Sequence, residues 1–165
     1  MCSGRQQREE EASRAPVPAD VIYAILQLGL KTSEPAVLRM CACIVLCYCW
    51  YNRADTGMLV LRRDVTIDDF GITINQQGKT IARNQACPVH RHPDARFDHQ
   101  QEVLRLIRRW DQHSADYQAP TDHYWSLQGE DQQAKRWPAS LVTKWLNRLL
   151  PLVKCSPPAG EKWTG

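Results

Sequence analysis

The feature that most constrains this fold is an uninterrupted apolar run, MCACIVLCYCWY, which extends from Met40 to Tyr51. A helix with this sequence has no polar side to turn toward water, so we expect it to lie at the centre of a hydrophobic core. Its twelve residues fall short of the roughly 20 that a bilayer-spanning helix needs. The run therefore predicts a buried core helix and no membrane segment.

The same run contains four of the seven cysteines of the chain. Side chains two residues apart on a helix point in different directions, which prevents neat disulfide pairing among Cys41, Cys43, Cys47 and Cys49. We interpret these cysteines as small buried hydrophobic residues in a reducing, intracellular compartment. Residues 1–18 fit that location because they lack the apolar segment of a secretory signal.

Length and composition predict a single domain preceded by a tail. The chain has 165 residues, of which 43% are hydrophobic and 24% are charged, as in ordinary soluble globular domains. Residues 1–18 are polar, contain prolines and show no periodicity, so we predict a disordered tail there. Residues 19–165 form the predicted domain. The net charge of +3 is a mild bias that does not by itself indicate a polyanionic partner.

The patterns along the domain predict a mainly helical α+β fold with a small antiparallel three-stranded sheet. Helical spacing of apolar residues predicts a first helix that ends near Lys31. Ile, Val and Thr are frequent between residues 64 and 89, with turn residues at 68–71 and 75–78, which predicts the sheet. A helix over about residues 99–112 follows, capped by Asp94 or Asp98.

The end of the chain predicts an extended piece, HYWSLQ, a last helix and a terminal loop. The helix lies within PASLVTKWLNRLLPLV and has a broad apolar stripe, while Lys144 and Arg148 lie off that stripe. We expect the apolar residues between 141 and 153 to lack full cover, which would leave an exposed apolar patch. Residues 154–165 are predicted as a loop.

Two cations mark a candidate phosphate site. Arg53 follows the apolar helix closely, and Lys79 lies just past the polar turn of ITINQQGKTIARNQ, residues 72–85. Rigid elements are suitable positions for charges that must grip a phosphate. Arginine offers a planar fork to phosphate oxygens, whereas lysine offers a mobile proton donor. The alternative interpretation of Arg53 is a helix cap or an ion pair with Asp55 or Asp64.

The segment WYNRADTGMLVLRRDV resembles the part of the tyrosine recombinase (phage-integrase-like) catalytic domain that carries its first catalytic arginine. In that family an apolar helix ends in the arginine, and an Asp followed by an aliphatic residue occurs about eleven positions later. Arg53, Asp64 and Val65 have this spacing. Thr56 stands where the family commonly has Glu.

Further segments continue the resemblance in the same order, over about residues 20–165. The stretch ITINQQGKTIARNQACPV is similar to the family's β-hairpin, whose turn holds a catalytic lysine at the position of Lys79. The resemblance implies the fold of the N-terminal part of that catalytic domain. Similar segments also follow the sheet, namely QEVLRLIRRW, YWSLQ and SLVTKWLNRLLPLV.

What the resemblance implies is DNA strand exchange on duplex DNA, with Arg53 stabilising phosphoryl charge and Lys79 protonating the leaving 5′ oxygen. Arg62, Arg63 and Arg83 are then surface charges that contact backbone phosphates. The family assembles as oligomers on paired sites and needs no cofactor, and its location in a eukaryotic host would be the nucleus. We therefore expect a DNA-binding fragment of a mobile-element recombinase.

The catalytic set implied by the resemblance is incomplete. No His-x-x-Arg motif occurs, and none of the five tyrosines follows such a motif, so we expect this chain not to cleave DNA. Two alternatives stay open: a non-catalytic DNA-binding or protein-interaction module derived from a mobile element, and a helical protein without a nucleic-acid role. Salt-dependent DNA binding separates the second of these from the others.

Other kinds of site have little support in the sequence. The run CPVHRH places Cys87, His90 and His92 close together, but it lacks the paired spacing of a zinc finger, so we predict no metal site. No Gly-rich phosphate loop is present, which argues against a nucleotide cofactor. Five more cations could face DNA or could simply belong to a solvated surface, and we take the solvated surface as the default interpretation. They are Arg105, Arg108, Arg109, Lys135 and Arg136.

Overall fold

The structure is a computed structural model and describes residues 14–50, 60–69, 71–76, 87–91, 99–130 and 137–164. These residues form an α+β fold, which confirms the predicted class. In chain order the elements are β1 (Arg14–Pro16), α1 (Ala19–Lys31), α2 (Pro35–Trp50), β2 (Val65–Ile67), β3 (Ile72–Gln76), β4 (Cys87–Arg91), α3 (Gln100–Ala115), α4 (Ser140–Leu149) and β5 (Lys162–Thr164). A 3-10 turn, Arg62–Asp64, precedes β2.

Helix α2 is the central element, as its apolar sequence predicts. Residues 40–46 are all buried, and α2 packs against α1, α3 and α4. Thr32 assists the turn before the helix, because its hydroxyl accepts a hydrogen bond of 3.2 Å from the backbone N–H of Glu34. The four cysteines of α2 are free thiols, which agrees with the interpretation that they do not pair with one another.

Gly29 allows α1 to approach its neighbours closely. A Cβ atom at this position would lie 2.6 Å from Leu106 Cδ1 and 2.8 Å from Cys41 Cβ, distances too short for ordinary packing. Helix α1 does not end at this glycine but continues to Lys31. The glycine is therefore a packing residue at the junction of α1, α2 and α3.

Strands β2, β3 and β4 form an antiparallel sheet in that order. Ile67 is opposite Ile72 at the first turn, and Gln76 is opposite Cys87 on the other side of β3. The first turn is closed by a bond of 2.8 Å from the Gly71 N–H to the Asp68 carboxylate. Ile72 and Ile74 are buried, so one face of β3 covers the helical core.

The third helix differs from its predicted bounds. Helix α3 begins at Gln100 with His99 at the N-cap position, and His99 makes no side-chain capping bond. The prediction that Asp94 or Asp98 occupies the cap is therefore wrong. The helix also continues to Ala115, three residues beyond the predicted end, because Trp110 and Ser114 extend its buried face.

The segment 123–128 is not the extended piece that we predicted. It makes one isolated bridge, between His123 and Leu61, and the rest of it is turns and irregular chain. Its side chains are nevertheless central to packing: Tyr124, Trp125 and Ser126 are all buried. Trp110 donates a hydrogen bond of 3.1 Å from Nε1 to the Tyr124 carbonyl oxygen, which ties the segment to α3.

The apolar stripe of α4 is covered, which contradicts the predicted exposed patch. Val142, Trp145, Leu146 and Leu149 are buried, and α4 packs on α2. Leu152, just after the helix, is 55% exposed. Within the described residues, no helix combines the length and the apolar character that crossing a membrane requires.

The two ends of the described chain meet. Strand β1 pairs in parallel with β5, with Ala15 opposite Trp163, and both Val17 and Trp163 are buried. The tail predicted over residues 1–18 therefore ends earlier, because 14–18 belong to the fold. Likewise, the predicted terminal loop contains a strand.

Candidate nucleic-acid interface

Three of the predicted site residues, Arg53, Lys79 and Arg83, lie outside the described residues. The elements that flank them are described. Helix α2 reaches Trp50, three positions before Arg53, and the sequence that contains Lys79 and Arg83 joins the paired strands β3 and β4. A shared phosphate site of Arg53 and Lys79 stays a prediction.

Arg62 is not the surface charge that the sequence suggested. Its guanidinium donates 2.7 Å from Nη1 to the Ser114 hydroxyl and forms an ion pair of 3.2 Å with Asp111. The guanidinium carbon also lies 5.7 Å from the centre of the Tyr124 ring, and the side chain is only 18% exposed. These contacts link the 3-10 turn to α3. Arg63, the next residue, is exposed, as a phosphate contact requires.

Asp64 has a local structural role. Its carboxylate accepts a hydrogen bond of 3.2 Å from the backbone N–H of Leu61, and the residue is buried. This bond closes the 3-10 turn that leads into β2 at Val65. The Asp64–Val65 pair quoted in the family resemblance therefore lies at the entry to the sheet.

Tyr124 belongs to the same polar cluster and is held in its neutral form. Its hydroxyl donates 3.0 Å to the Asp111 carboxylate. Burial raises the pKa of Tyr124 well above its usual value, and the charge of Asp111 raises it further. A buried, neutral phenol is a poor nucleophile, so Tyr124 acts as a structural donor.

Arg39 anchors a second cluster, between α2, α4 and the segment before α4. Its guanidinium makes an ion pair of 2.6 Å with Glu130. It also lies 4.8 Å from the centre of the Trp145 ring and 5.8 Å from that of Trp137. His123 stacks on Trp137 at 4.2 Å with an interplanar angle of 10°. Because the Arg39 side chain is only 12% exposed, this cluster is a structural clamp.

Two arginines of α3 bind backbone carbonyls, which the sequence did not indicate. Arg109 donates 2.5 Å to the carbonyl oxygen of Gly29 and a second bond to that of Thr32. These carbonyls belong to the C-terminal end of α1, where a cation is favoured. Arg108 donates 2.7 Å to the Asp68 carbonyl oxygen. Arg109 in particular is a cap for a neighbouring helix, and not part of a solvated face.

The outward face of α4 is a basic surface among the described residues. We use the name α4 face for Thr143, Lys144, Asn147 and Arg148, all of which are exposed. Lys154, also exposed, follows the helix. No Asp or Glu occurs between residues 137 and 160. The ion pairs among the described residues, Arg39–Glu130 and Arg62–Asp111, involve none of these cations.

The sequence carries a local signal for the α4 face, although the predicted site residues did not include its cations. Lys144 and Arg148 are four residues apart, which places them on the same side of a helix. The apolar stripe of the same segment already required that side to face away from the core. What the sequence could not supply was that the ion pairs among the described residues involve none of these cations.

Cys43 and Cys47 are one helical turn apart on α2 and influence each other's ionisation. Burial raises the pKa of the Cys43 thiol well above its ordinary value, with a further rise from its hydrogen bond to Cys47. A hydrogen bond with Cys43 lowers the pKa of Cys47, against the opposing effect of burial.

The structure offers no cluster of three or more metal ligands among the residues it describes. The side chains of Cys87, His90 and His92 lie outside those residues. That this run binds no metal therefore stays a prediction.

Comparison with protein-family models, with curated proteins and with solved structures finds no match for this chain.

Proposed function

We propose that this chain binds duplex DNA through phosphate contacts, as a fragment related to the catalytic domain of tyrosine recombinases. The proposal concerns binding and not strand cleavage, because no tyrosine of this sequence follows a His-x-x-Arg motif.

The observation that carries the proposal is the α4 face. Lys144 and Arg148 project from one rigid helix, and Lys154 adds a third positive charge after it. DNA backbones attract such cations and release their condensed counterions on binding. Cations that take no part in the ion pairs of the described residues are suited to contacts with a phosphate partner. An equivalent face with paired acids would not attract DNA.

The arrangement of elements supports the relationship to recombinases. An apolar core helix ends shortly before Arg53, and the buried Asp64 closes the turn into the sheet. Lys79 then lies in the connection between two antiparallel neighbours, β3 and β4. This is the order of elements that the family resemblance implies, and it is the basis for retaining Arg53 and Lys79 as phosphate-contact residues in the proposal.

The first test measures binding of the full chain to a fluorescently labelled duplex by anisotropy, over a salt series. We expect affinity to fall steeply with salt, and the double variant Lys144→Gln with Arg148→Gln to weaken binding. Each phosphate contact removed lowers the slope of log K against log salt by about 1, because fewer counterions are released on binding.

The matched control carries the same change of charge on other elements: Lys31→Gln with Arg105→Gln, both exposed residues of α1 and α3. The control should bind nearly as the wild type does. An equal loss of DNA affinity in both double variants would show that binding depends on net charge alone and that the α4 face is not the interface. No binding at low salt would overturn the DNA proposal and leave a protein-interaction module as the better alternative.

A second test addresses the recombinase relationship. Arg53→Ala and Lys79→Ala should each weaken duplex binding, because both residues are expected to contact phosphate. Binding that depends on Lys144 and Arg148 but is unchanged by these two variants would favour a DNA-binding module without a recombinase phosphate site.

A further inference from the structure

The basic α4 face ends in an apolar tip, a name we use for Pro151 and Leu152. Both residues are exposed. Leu152, at 55%, is more exposed than Tyr23, at 39%, the other large hydrophobic residue that lies open among the described residues. Isolated exposed leucines are common on protein surfaces. The position of this one sets it apart, because it directly follows a helix that carries two exposed cations and no acid.

The helical path of α4 continues through the apolar tip. The Val153 N–H donates a hydrogen bond of 3.1 Å to the Leu149 carbonyl oxygen, four residues back, as within a helix. Lys144, Arg148 and Leu152 follow one another at intervals of four residues, which places them on one side of this path. The exposed side of α4 is therefore a row that begins with cations and ends with a leucine.

The chain after the apolar tip forms a turn that backbone hydrogen bonds close. The Lys154 N–H donates 3.3 Å to the Pro151 carbonyl oxygen, and the Cys155 N–H donates 3.0 Å to that of Leu150. Lys154 has a positive φ, which among the described residues only glycines share. Strained backbone of this kind is concentrated at functional sites. Within this turn Leu152 stays exposed, and an exposed cation follows it two residues later.

From this arrangement we propose that the apolar tip is a wedge that inserts between base pairs in the DNA minor groove and kinks the duplex. The inference rests on the proposed function, since it requires the α4 face to bind duplex DNA. Leucine and proline are among the side chains with which minor-groove proteins unstack a base step. The phosphate contacts of Lys144, Arg148 and Lys154, on both sides of the tip in sequence, offset the cost of unstacking.

The chemistry of the α4 face favours DNA over an anionic membrane as the partner. Helices that lie on membranes bury a whole apolar face among the lipids. The apolar face of α4 is instead buried within the protein, against α2, and the apolar tip adds only two residues. Thr143 and Asn147, which are exposed beside the cations, offer the hydrogen-bonding groups that proteins use on DNA phosphates and sugars.

The test measures the bend of a short duplex by energy transfer between labels at its two ends, with the full chain. A duplex of about 20 base pairs is much shorter than the persistence length of about 150 base pairs, so it stays nearly straight unless the protein bends it. We expect the wild type to raise energy transfer. Leu152→Gln should lose most of this rise, whereas Leu152→Met keeps an apolar side chain and should retain it.

The sequence of the duplex gives a second readout. Pyrimidine–purine steps unstack more easily than A-tracts, so a duplex with a central TA step should bind more tightly than one with a central A-tract. Leu152→Gln should lose this preference. It keeps the three cations, however, so its slope of log K against log salt should equal that of the wild type.

Tyr23→Gln is the matched control, because it makes the same kind of change at the exposed hydrophobic residue of α1. Its bend and its preference for the TA step should equal those of the wild type. Circular dichroism of each variant checks that the fold is retained.

The possible failures of the wedge and of the proposed function are distinguishable. Binding without a bend, or an equal bend with the wild type and Leu152→Gln, would overturn the wedge and leave DNA binding intact. If Leu152→Gln bent DNA normally but lost binding to phosphatidylserine vesicles, the apolar tip would be a membrane contact instead. No duplex binding at low salt would overturn both proposals.

Discussion

At the scale of single residues, Lys154 carries an unusual backbone. Its φ is +56°, a left-handed conformation that side chains other than glycine adopt at an energetic cost. The adjacent bond from the Cys155 N–H to the Leu150 carbonyl oxygen, 3.0 Å, closes the end of the helical segment in the way that a C-terminal glycine often does. A lysine here is therefore disfavoured by the backbone.

We expect Lys154→Gly to raise the free energy of unfolding by about 0.5–1 kcal/mol, because glycine adopts positive φ without strain. Urea unfolding followed by circular dichroism would measure the change. The same substitution within α4, Lys144→Gly, should instead destabilise the fold by about 1 kcal/mol. A loss of stability in Lys154→Gly would contradict the backbone argument. The variant also separates folding from DNA affinity, since it should be more stable and yet bind DNA less tightly.

At the scale of elements, the packing of α1 on α2 and α3 depends on the missing side chain of Gly29. The contact between α1 and α3 also includes the Arg109 guanidinium, which donates hydrogen bonds to the carbonyl oxygens of Gly29 and Thr32. Helix propensity alone would favour alanine at position 29. The short distances to Leu106 and Cys41 show that packing outweighs propensity here.

Gly29→Ala should therefore destabilise the protein by about 1–3 kcal/mol, the range for overpacked cores. Gln27→Ala, on the same helix and only partly buried, is the control and should change stability little. Thermal or urea denaturation of the two variants and of the wild type would measure these changes in stability. If Gly29→Ala were as stable as the control, the close approach of the three helices would be relaxed in solution.

At the scale of the whole molecule, burial of neutral acids makes the fold sensitive to alkali. Burial raises the pKa of the Cys41 thiol to about 12, and burial likewise raises the pKa of the Tyr117 hydroxyl to about 12. Unfolding returns both groups to lower pKa values, so the unfolded chain loses their protons first. Their contribution to stability is complete below the unfolded pKa values and is lost as the pH rises toward about 12.

We therefore expect the urea midpoint to fall as the pH is raised above the ordinary thiol pKa. A fully buried thiol contributes up to about 1.4 kcal/mol for each pH unit between its unfolded and folded pKa values. Cys41→Ala removes one of the groups, so its midpoint should depend less steeply on pH than that of the wild type. A midpoint that stays constant through the alkaline range would show that these groups are not buried in solution.

The predictions from sequence succeeded where the signal was local. The central position of α2 followed from twelve apolar residues, and the stripe of α4 followed from its spacing, since the periodicity of a helix fixes which residues share a side. Local sequence was thus sufficient to predict the main helices and their buried faces.

The roles of the charged and terminal residues emerged only from the folded chain. The partners of Arg62 lie 49 and 52 residues away, and those of Arg109 lie 80 and 77 residues away, so no local pattern could reveal them. The same holds for the pairing of β1 with β5, which joins the two ends of the described chain. The periodicity of helices and strands depends on residues that are close in sequence. The role of a guanidinium, a buried acid or a short strand depends instead on its contacts with residues that are distant in sequence and become neighbours only in the folded chain.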